Sequence, residues 1–540
     1  MDKKHLTFRQ IKWWFFVAIF LITVPYIWVI LTTPPDLAFT KTLVNPDDTS
    51  VYLSAIRQGQ EGNWLFHFQF SPETIAPKFM YVLYLFIGHL SSWIGGEIIF
   101  WFHFMRLLFV VLALFGALFW VRAALPNHAR QQATAWFLII FGGGFGWLAA
   151  IFAQTKFYDI PELGRGGWGV MMPFMATPHF ALGITLTIWF FTSLLWVTRS
   201  NHLWIWGLTA IFGVLLGLVY PYMIPVLGLV TGLYLLIIAW QNKRIPWNMW
   251  IFGGCALLAM VPLLLYYGYF AQQDPVWALT HVQDNNIPPP AIWAVIISLG
   301  LMAPFAVVGM WFWLKQNQNS LIPLWAVVQF LSFYLPFPYS GRFILGWTVP
   351  VYTLAAYGLE QGVLPWLWKK GGGTYFSRIS KTPYPTARRL ILILTLPSTI
   401  LVILFFIQIP AVKPEYPIFL PQADMQAISW LAEKTTQEDL ILANYPVGNY
   451  LPRETSAHVF IGQPFLTLDL PGKFSDLSKF WQEETEPTWR ERFLSDWEVT
   501  HIYYGTYEQE LTTADVIPPG QLIYDADGIK IYEFREPKGN

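Results

Sequence analysis

"QIKWWFFVAIFLITVPYIWVILTTPPDLAFTKTLVNPDDTSVYLSAIRQGQEGNW", residues 10–64, decides how this chain is read. Its first part stays apolar for about twenty residues, the length that crosses the hydrocarbon core of a bilayer. A basic flank precedes that run and no small-residue cleavage site follows it. It therefore reads as a retained first span rather than a cleaved signal peptide. The second part sets two adjacent carboxylates, Asp47 and Asp48, just outside the span.

Composition extends the reading to the whole chain. Of 540 residues, 55% are hydrophobic and only 12% charged, where a soluble domain carries about a quarter charged. Apolar runs recur along the first three quarters, so the chain is a polytopic α-helical membrane protein. Lys plus Arg and Asp plus Glu both number 33, for a net charge of zero. Nothing in that balance suggests nucleic acid as a partner. Cys255, the single cysteine, permits no intrachain disulfide.

Spans are expected near 13–33, 101–121, 132–153, 174–197, 203–219, 223–240, 248–270, 291–314, 321–337, 343–362 and 389–410. The segment 79–95, "FMYVLYLFIGHLSSWIG", is short and carries His89, Ser91 and Ser92, and its placement sets the side of every later loop. With 79–95 lying at the interface, most Lys and Arg of the membrane part fall in inner loops, including the basic stretch 364–389. The loop 271–290 is then outside with neither Lys nor Arg. This gives about eleven spans, an inner N-terminus and an outer C-terminus, in the plasma (inner) membrane. Within 203–240, "YPYM" at 220–223 breaks the run, because proline removes a backbone donor and clashes with the preceding turn. A hairpin of two spans results.

Composition changes from about 411 onward. "MQAISWLAEKT" has helical spacing, and "DLILAN", "HVFIG" and "THIYYG" read as short strands. "QLIYDADGIKIYEF" alternates about Asp527-Gly528, a hairpin signal. The expected domains are thus a membrane module over 1–410, with a large first outer loop 34–100, and a soluble extracytoplasmic α/β domain over 411–540.

This topology gathers polar groups on the outer face, where such groups near membrane depth mark function. Asp47 and Asp48 stand before a helical stretch, so one of them reads as an N-cap, with Gly59 as the C-terminal stop. The other is left to act as a base, bind a metal or pair with an arginine. Arg342 in "PYSGRF" reads either as an interfacial snorkelling residue or as a clamp on a lipid phosphate, whose oxygens the guanidinium fork matches. Arg106 carries the same two readings. His179 in "TPHF" is either a hydrogen-bonded structural group or part of a site, and Tyr220 and Tyr222 suit an interfacial belt or a site wall. The loop 154–172 holds Asp159, Glu162, Arg165 and several glycines, and reads as a connector or as a flap over substrate. "FGGGFGW", 141–147, lies inside an apolar run without the context of a phosphate-binding loop, and close helix packing explains it better. Motifs for zinc proteases, serine hydrolases and ATPases are missing from the sequence.

An outer loop with an Asp, a Tyr four residues on and a Gly-x-Trp beyond resembles the C-type glycosyltransferase (GT-C) superfamily of integral membrane enzymes. That superfamily includes protein O-mannosyltransferases, aminoarabinose transferases and oligosaccharyltransferases. Here the match is Asp48, Tyr52 and Gly62-Asn63-Trp64. The segment 79–95, the outer "RF" before a late span, the basic inner loop and the outer C-terminal region are similar too. The resemblance implies a polyprenyl-phosphate sugar donor, a lipid, glycan or protein acceptor, and transfer on the outer side. It places the acid of the first loop at Asp48, with Asp47 second. Many members carry Asp-Glu there, whereas Thr49 follows Asp48 here. "YDIPE", 158–162, does not match the paired acids that bind metal in oligosaccharyltransferases. No metal ligand is carried over, and a divalent metal is left open.

A positioned carboxylate activates a hydroxyl nucleophile, and a cation stabilises a departing phosphate. The expectation is an inverting transfer with Asp48 as base. Arg342 holds the phosphate, and Tyr52, His179, Arg106 and Tyr222 surround the substrate. The alternatives are a transporter or flippase of lipid-linked sugars, which would place ionisable groups at the bilayer midplane in matching halves, and a non-catalytic assembly protein.

Overall fold

A computed structural model describes residues 5–153, 156, 159–200, 202–273, 286–512 and 516–534. The chain divides into two compact units. One is built from Met1–Pro25, Phe104–Phe270 and Asn285–Phe406, the other chiefly from Tyr26–His103 and Ile407–Asn540. Most of the expected outer loop 271–290 lies outside the described residues.

The protein is mostly helical and multi-pass. Among the described residues, six helices are long and apolar enough to cross a membrane: Phe8–Thr32, Ile98–Ala124, Ala129–Phe152, Pro178–Ser200, Met223–Asn242 and Trp247–Tyr269. Two bent pairs raise the number to eight. Ile292–Leu299 and Met302–Lys315 meet at 85°, and Pro383–Ile393 and Pro397–Val412 at 41°. Leu203–Val219 and Leu321–Ser332 are shorter apolar helices, and Pro221 lies between Leu203–Val219 and Met223–Asn242 as expected from "YPYM". Trp13, Phe16, Phe20 and Leu31 stand exposed along Phe8–Thr32. A helix that is apolar all round and packed on one side only suits lipid on the other.

Several span boundaries differ from expectation, two of them next to candidate site residues. The helix expected from 174 starts at Pro178, a residue suited to a first turn because its missing N–H has no partner to lose there. Met171–Met175 forms a separate short helix before it. The helix expected from 343 starts at Thr348. Residues 340–344 instead form a tight turn, and Gly346 follows with a φ of 75°.

In the second unit the C-terminal strands are where the alternation put them. They are β3 (Leu440–Leu442), β4 (His458–Val459), β5 (His501–Tyr504), β6 (Gln521–Ala526) and β7 (Ile529–Glu533), after β1 (Leu37–Phe39) and β2 (Phe419–Pro421). The sheet order is β4-β3-β5-β7-β6, parallel among the first three and antiparallel beyond. Asp527 and Gly528 both adopt positive φ, 51° and 81°, which a two-residue hairpin turn of this hand requires. Successive strand residues serve opposite faces. Ile441, Tyr503 and Ile531 pack with the helix Gln422–Lys434. Leu440, Leu442, Ile502 and Tyr532 pack with Phe480, Phe493 and Leu494 from the helices Leu470–Phe480 and Pro487–Asp496.

The first outer loop folds into this same unit. β1 pairs antiparallel with β2. Gln69 accepts from the Val459 amide at 3.0 Å, and Lys473 bonds Glu73 at 2.6 Å. Arg57, buried, spreads its guanidinium over Glu61, Ser456 Oγ (2.9 Å) and the Pro452 carbonyl (3.2 Å).

Inside this loop the helix Pro46–Gln60 crosses Val82–Ile94, the helix of the expected interfacial segment. Thirteen residues at 1.5 Å each rise only about 20 Å, short of the roughly 30 Å core. A Cβ on Gly59 would meet the Leu85 carbonyl, and one on Gly88 the Ile56 carbonyl. Gly59 therefore does not stop its helix. It is buried one residue inside the C-terminus and lets two backbones touch. Gly59→Ala is expected to lower the melting temperature in detergent, at a cost of about 1–3 kcal/mol. Gly232→Ala, whose Cβ meets nothing within 4 Å, is the control and should leave the temperature unchanged or slightly raised. Equal melting of the two variants would refute the close crossing.

Candidate active site

Asn45, with φ of 56°, is the residue that begins the helix Pro46–Gln60. Neither aspartate is the cap. Both lie in the first turn, where the unsatisfied amides favour negative charge. The Asn45 side chain donates to Asp48 Oδ2 at 2.8 Å instead of capping. Gln463 Nε2 donates to the other oxygen, Asp48 Oδ1, at 3.0 Å. Two amides thus orient the carboxylate, one on each oxygen.

Asp47 is held differently. Its Oδ1 accepts from the Tyr445 hydroxyl at 2.8 Å, and Asn449 Nδ2 lies 3.5 Å from the same oxygen. Asn449 also donates to the Tyr416 hydroxyl at 2.6 Å. Burial first, and then the Asp47 charge, push the Tyr416 and Tyr445 phenols above their ordinary range. Both stay protonated and can serve as donors. Tyr52, one helical turn beyond Asp48, stacks on Tyr84 with ring centroids 4.5 Å apart and 10° between planes. Trp64 of the Gly-Asn-Trp turn stacks on His89 at 3.9 Å. The helix 82–94 thereby carries both aromatic markers of the loop.

Arg106, His179, Tyr222 and Arg342 belong to the other unit. The Arg342 guanidinium lies over the Tyr222 ring, 5.0 Å from its centroid. The Tyr220 hydroxyl reaches the Arg342 carbonyl at 3.4 Å. His179 bonds Thr177 Oγ1 at 3.0 Å, lies parallel to Tyr220 and sits in the field of the Arg342 charge. "TPHF", "YPYM" and "SGRF" therefore come together as one cationic, aromatic cluster. Arg106 stands apart in role. Only 2% exposed, it donates to the Phe174 carbonyl at 2.9 Å and secures the end of the short helix Met171–Met175.

"FGGGFGW" does more than permit close packing. Gly144 does meet the backbone of Ile297 and Ser298. The amides of Gly144 and Gly146 also both donate to the Glu162 carboxylate, which accepts from Ser398 Oγ at 3.0 Å as well. Glu162, from the loop expected to connect or to cover substrate, is thus locked into the glycine turn. Part of that loop, Tyr158 of "YDIPE" included, lies outside the described residues.

Around Asp47 and Asp48 the neighbours are N–H and O–H donors, the wrong polarity for a cation shell, which takes oxygen acceptors. Among the described residues no three His, Cys, Asp or Glu cluster as ligands. Gln463, Tyr445, Asn449 and Tyr416 were not legible as site residues. They are remote in sequence from the acids, and no motif marks them.

Removing the Tyr445 hydroxyl takes away a bond to a charged group, worth about 1.5–3 kcal/mol. Tyr445→Phe should lower the unfolding midpoint accordingly, read by thermal melting of the purified protein. An unchanged midpoint would mean that water satisfies Asp47 equally well.

No family model matches the chain, and no curated protein matches it in sequence. Solved structures are similar over nearly its whole length. The oligosaccharyltransferase AglB from Archaeoglobus fulgidus, in complex with an inhibitory peptide and a dolichol-phosphate, gives a TM-score of 0.53 at 12% identity, over 92% of this chain and 70% of that one. ArnT from Cupriavidus metallidurans, bound to undecaprenyl phosphate, gives 0.52 at 12% identity over 98% of both chains. The mycobacterial arabinofuranosyltransferase AftD gives 0.53 at 12%, over 99% of this chain and 42% of that one. All three are GT-C proteins, and the likeness is one of fold. The fold of this chain is the GT-C fold.

Proposed function

We propose that this protein is a membrane glycosyltransferase that moves a sugar from a polyprenyl-phosphate donor to an acceptor on the outer face of the membrane. The observation that carries the reading is Asp48. It stands at the head of the first-loop helix of a GT-C fold, both oxygens oriented by neutral amides and unburdened by a capping role. Two proteins of similar fold hold dolichol-phosphate or undecaprenyl phosphate, which supports a lipid phosphate as the carrier.

In the proposed reaction Asp48 takes the proton of the acceptor hydroxyl. The acceptor oxygen attacks the anomeric carbon as that carbon's bond to the phosphate oxygen breaks, so the centre inverts. The polyprenyl phosphate leaves with the bonding pair. Arg342, kept in place against Tyr222, offsets the charge that grows on the phosphate. Asp47 holds the Tyr416–Tyr445–Asn449 group and acts as a support. The arrangement goes with about eleven spans, an inner N-terminus and an extracytoplasmic C-terminal region in the plasma membrane.

Purified protein assayed against a panel of polyprenyl-phosphate sugars tests the class. Asp48→Asn should lower kcat by roughly 10²–10⁴-fold with little change in KM. Arg342→Ala should lower kcat/KM by roughly 10²–10³-fold, and Arg342→Lys by less. Transfer at full rate by correctly folded Asp48→Asn would remove it from the base role. If no lipid-linked sugar is ever consumed, the enzyme reading itself fails.

A further inference from the structure

A second feature lies within the first unit and does not depend on the acids. Three helices, Phe8–Thr32, Ala129–Phe141 and Pro383–Ile393, border a cleft of about 670 Å³, a volume in the usual range for a small-molecule site. Each begins polar and turns apolar along the face that lines the cleft. Gln10 is followed by Trp14, Arg130 by Phe137, and Arg389 by Ile393. These offsets of four, seven and four residues keep each pair on one helix face. At 1.5 Å per residue the apolar wall starts roughly 6–10 Å from the polar rim.

The rim is strongly cationic. Arg130 and Arg389 are exposed, and Arg388 lies at 3.5 Å from the buried Glu360. Thr134 donates to that same carboxylate at 2.8 Å, so Glu360 offsets a single arginine and two charges remain in excess. The N-terminal segment is pinned beside the cleft. Arg122 Nε donates to the Leu6 carbonyl at 2.7 Å, and the Leu6 amide to Gln132 at 2.7 Å. The same stretches belong to the loops that the Lys and Arg distribution assigns to the inner side, where the leaflet is rich in anionic lipid.

We infer that this cleft binds an anionic membrane phospholipid, its phosphodiester against Arg130 and Arg389 and one acyl chain along Trp14, Phe137 and Ile393. Charge complementarity selects the headgroup, and the polar-to-apolar gradient, common to all three helices, fits an amphiphile better than a soluble anion.

The test is native mass spectrometry of the full-length protein in detergent, titrated in parallel with phosphatidylglycerol, phosphatidylcholine and undecaprenyl phosphate. Phosphatidylglycerol adducts should persist and phosphatidylcholine adducts should not. Arg130→Ala and Arg389→Ala should each weaken retention about five-fold. Ala133→Trp, which fills the cleft wall, should abolish it. Both arginines are exposed, so their variants should melt as the parent does. Inorganic phosphate should not displace the lipid. Equal retention of the two phospholipids, indifference to the arginine variants, or selective retention of undecaprenyl phosphate would each overturn the assignment.

Discussion

Lipid supplies no hydrogen-bond partners, and that constraint orders the first unit. Several of its polar side chains are spent inward on groups of neighbouring segments. Gln329 donates to the carbonyls of Phe343 and Leu345 at 2.6 and 2.9 Å, where the chain is not α-helical. Trp347 bonds the Ala326 carbonyl, and Trp120 bonds Thr353. Glu162 serves the broken run at Gly144 and Gly146 in the same way. The breaks at 343–345 and at Gly144 and Gly146 are thus matched by specific side-chain partners, and the turn that carries Arg342 is held by one of these matches.

The second unit obeys a different logic. It has an ordinary two-faced sheet with a core on each side, and its polar contacts serve to bind remote pieces of chain together. Asp47, Arg57, Glu73 and Gln69 all sit in the first loop and all find partners beyond residue 440. The loop and the C-terminal strands are one folding unit, and the orientation of Asp48 is set from both ends of the sequence.

How much of this could be read from the sequence depends on the range of the interaction. Local rules were legible. The Asp527-Gly528 turn, the break at Pro221 and the helix Gln422–Lys434 follow from φ restrictions and periodicity over a few residues. The span boundaries at Pro178 and Thr348 slipped because hydropathy alone does not see a proline first turn or a positive φ at Gly346. The two acids do head a helix as expected, but the cap was misassigned. Asn45 was overlooked because aspartate and asparagine compete for the same position, and only geometry decides between them. Gly59 looked like a stop and is a contact. The ring of Gln463, Tyr445 and Asn449 could not be read at all, since nothing in the sequence says which distant residues will face a given carboxylate.

The bond between Asp47 and Tyr445 joins residues 398 apart in the chain. Synthesis at 5–20 residues per second separates their emergence by roughly 20–80 s. For that interval the first loop exists without the partners that orient its acids, while the spans that follow are being inserted. The candidate base is therefore assembled last, although it is among the first residues made. A chain that stops short of residue 440 carries every residue of the acid helix and lacks Tyr445, Asn449 and Gln463, the groups that hold it in register.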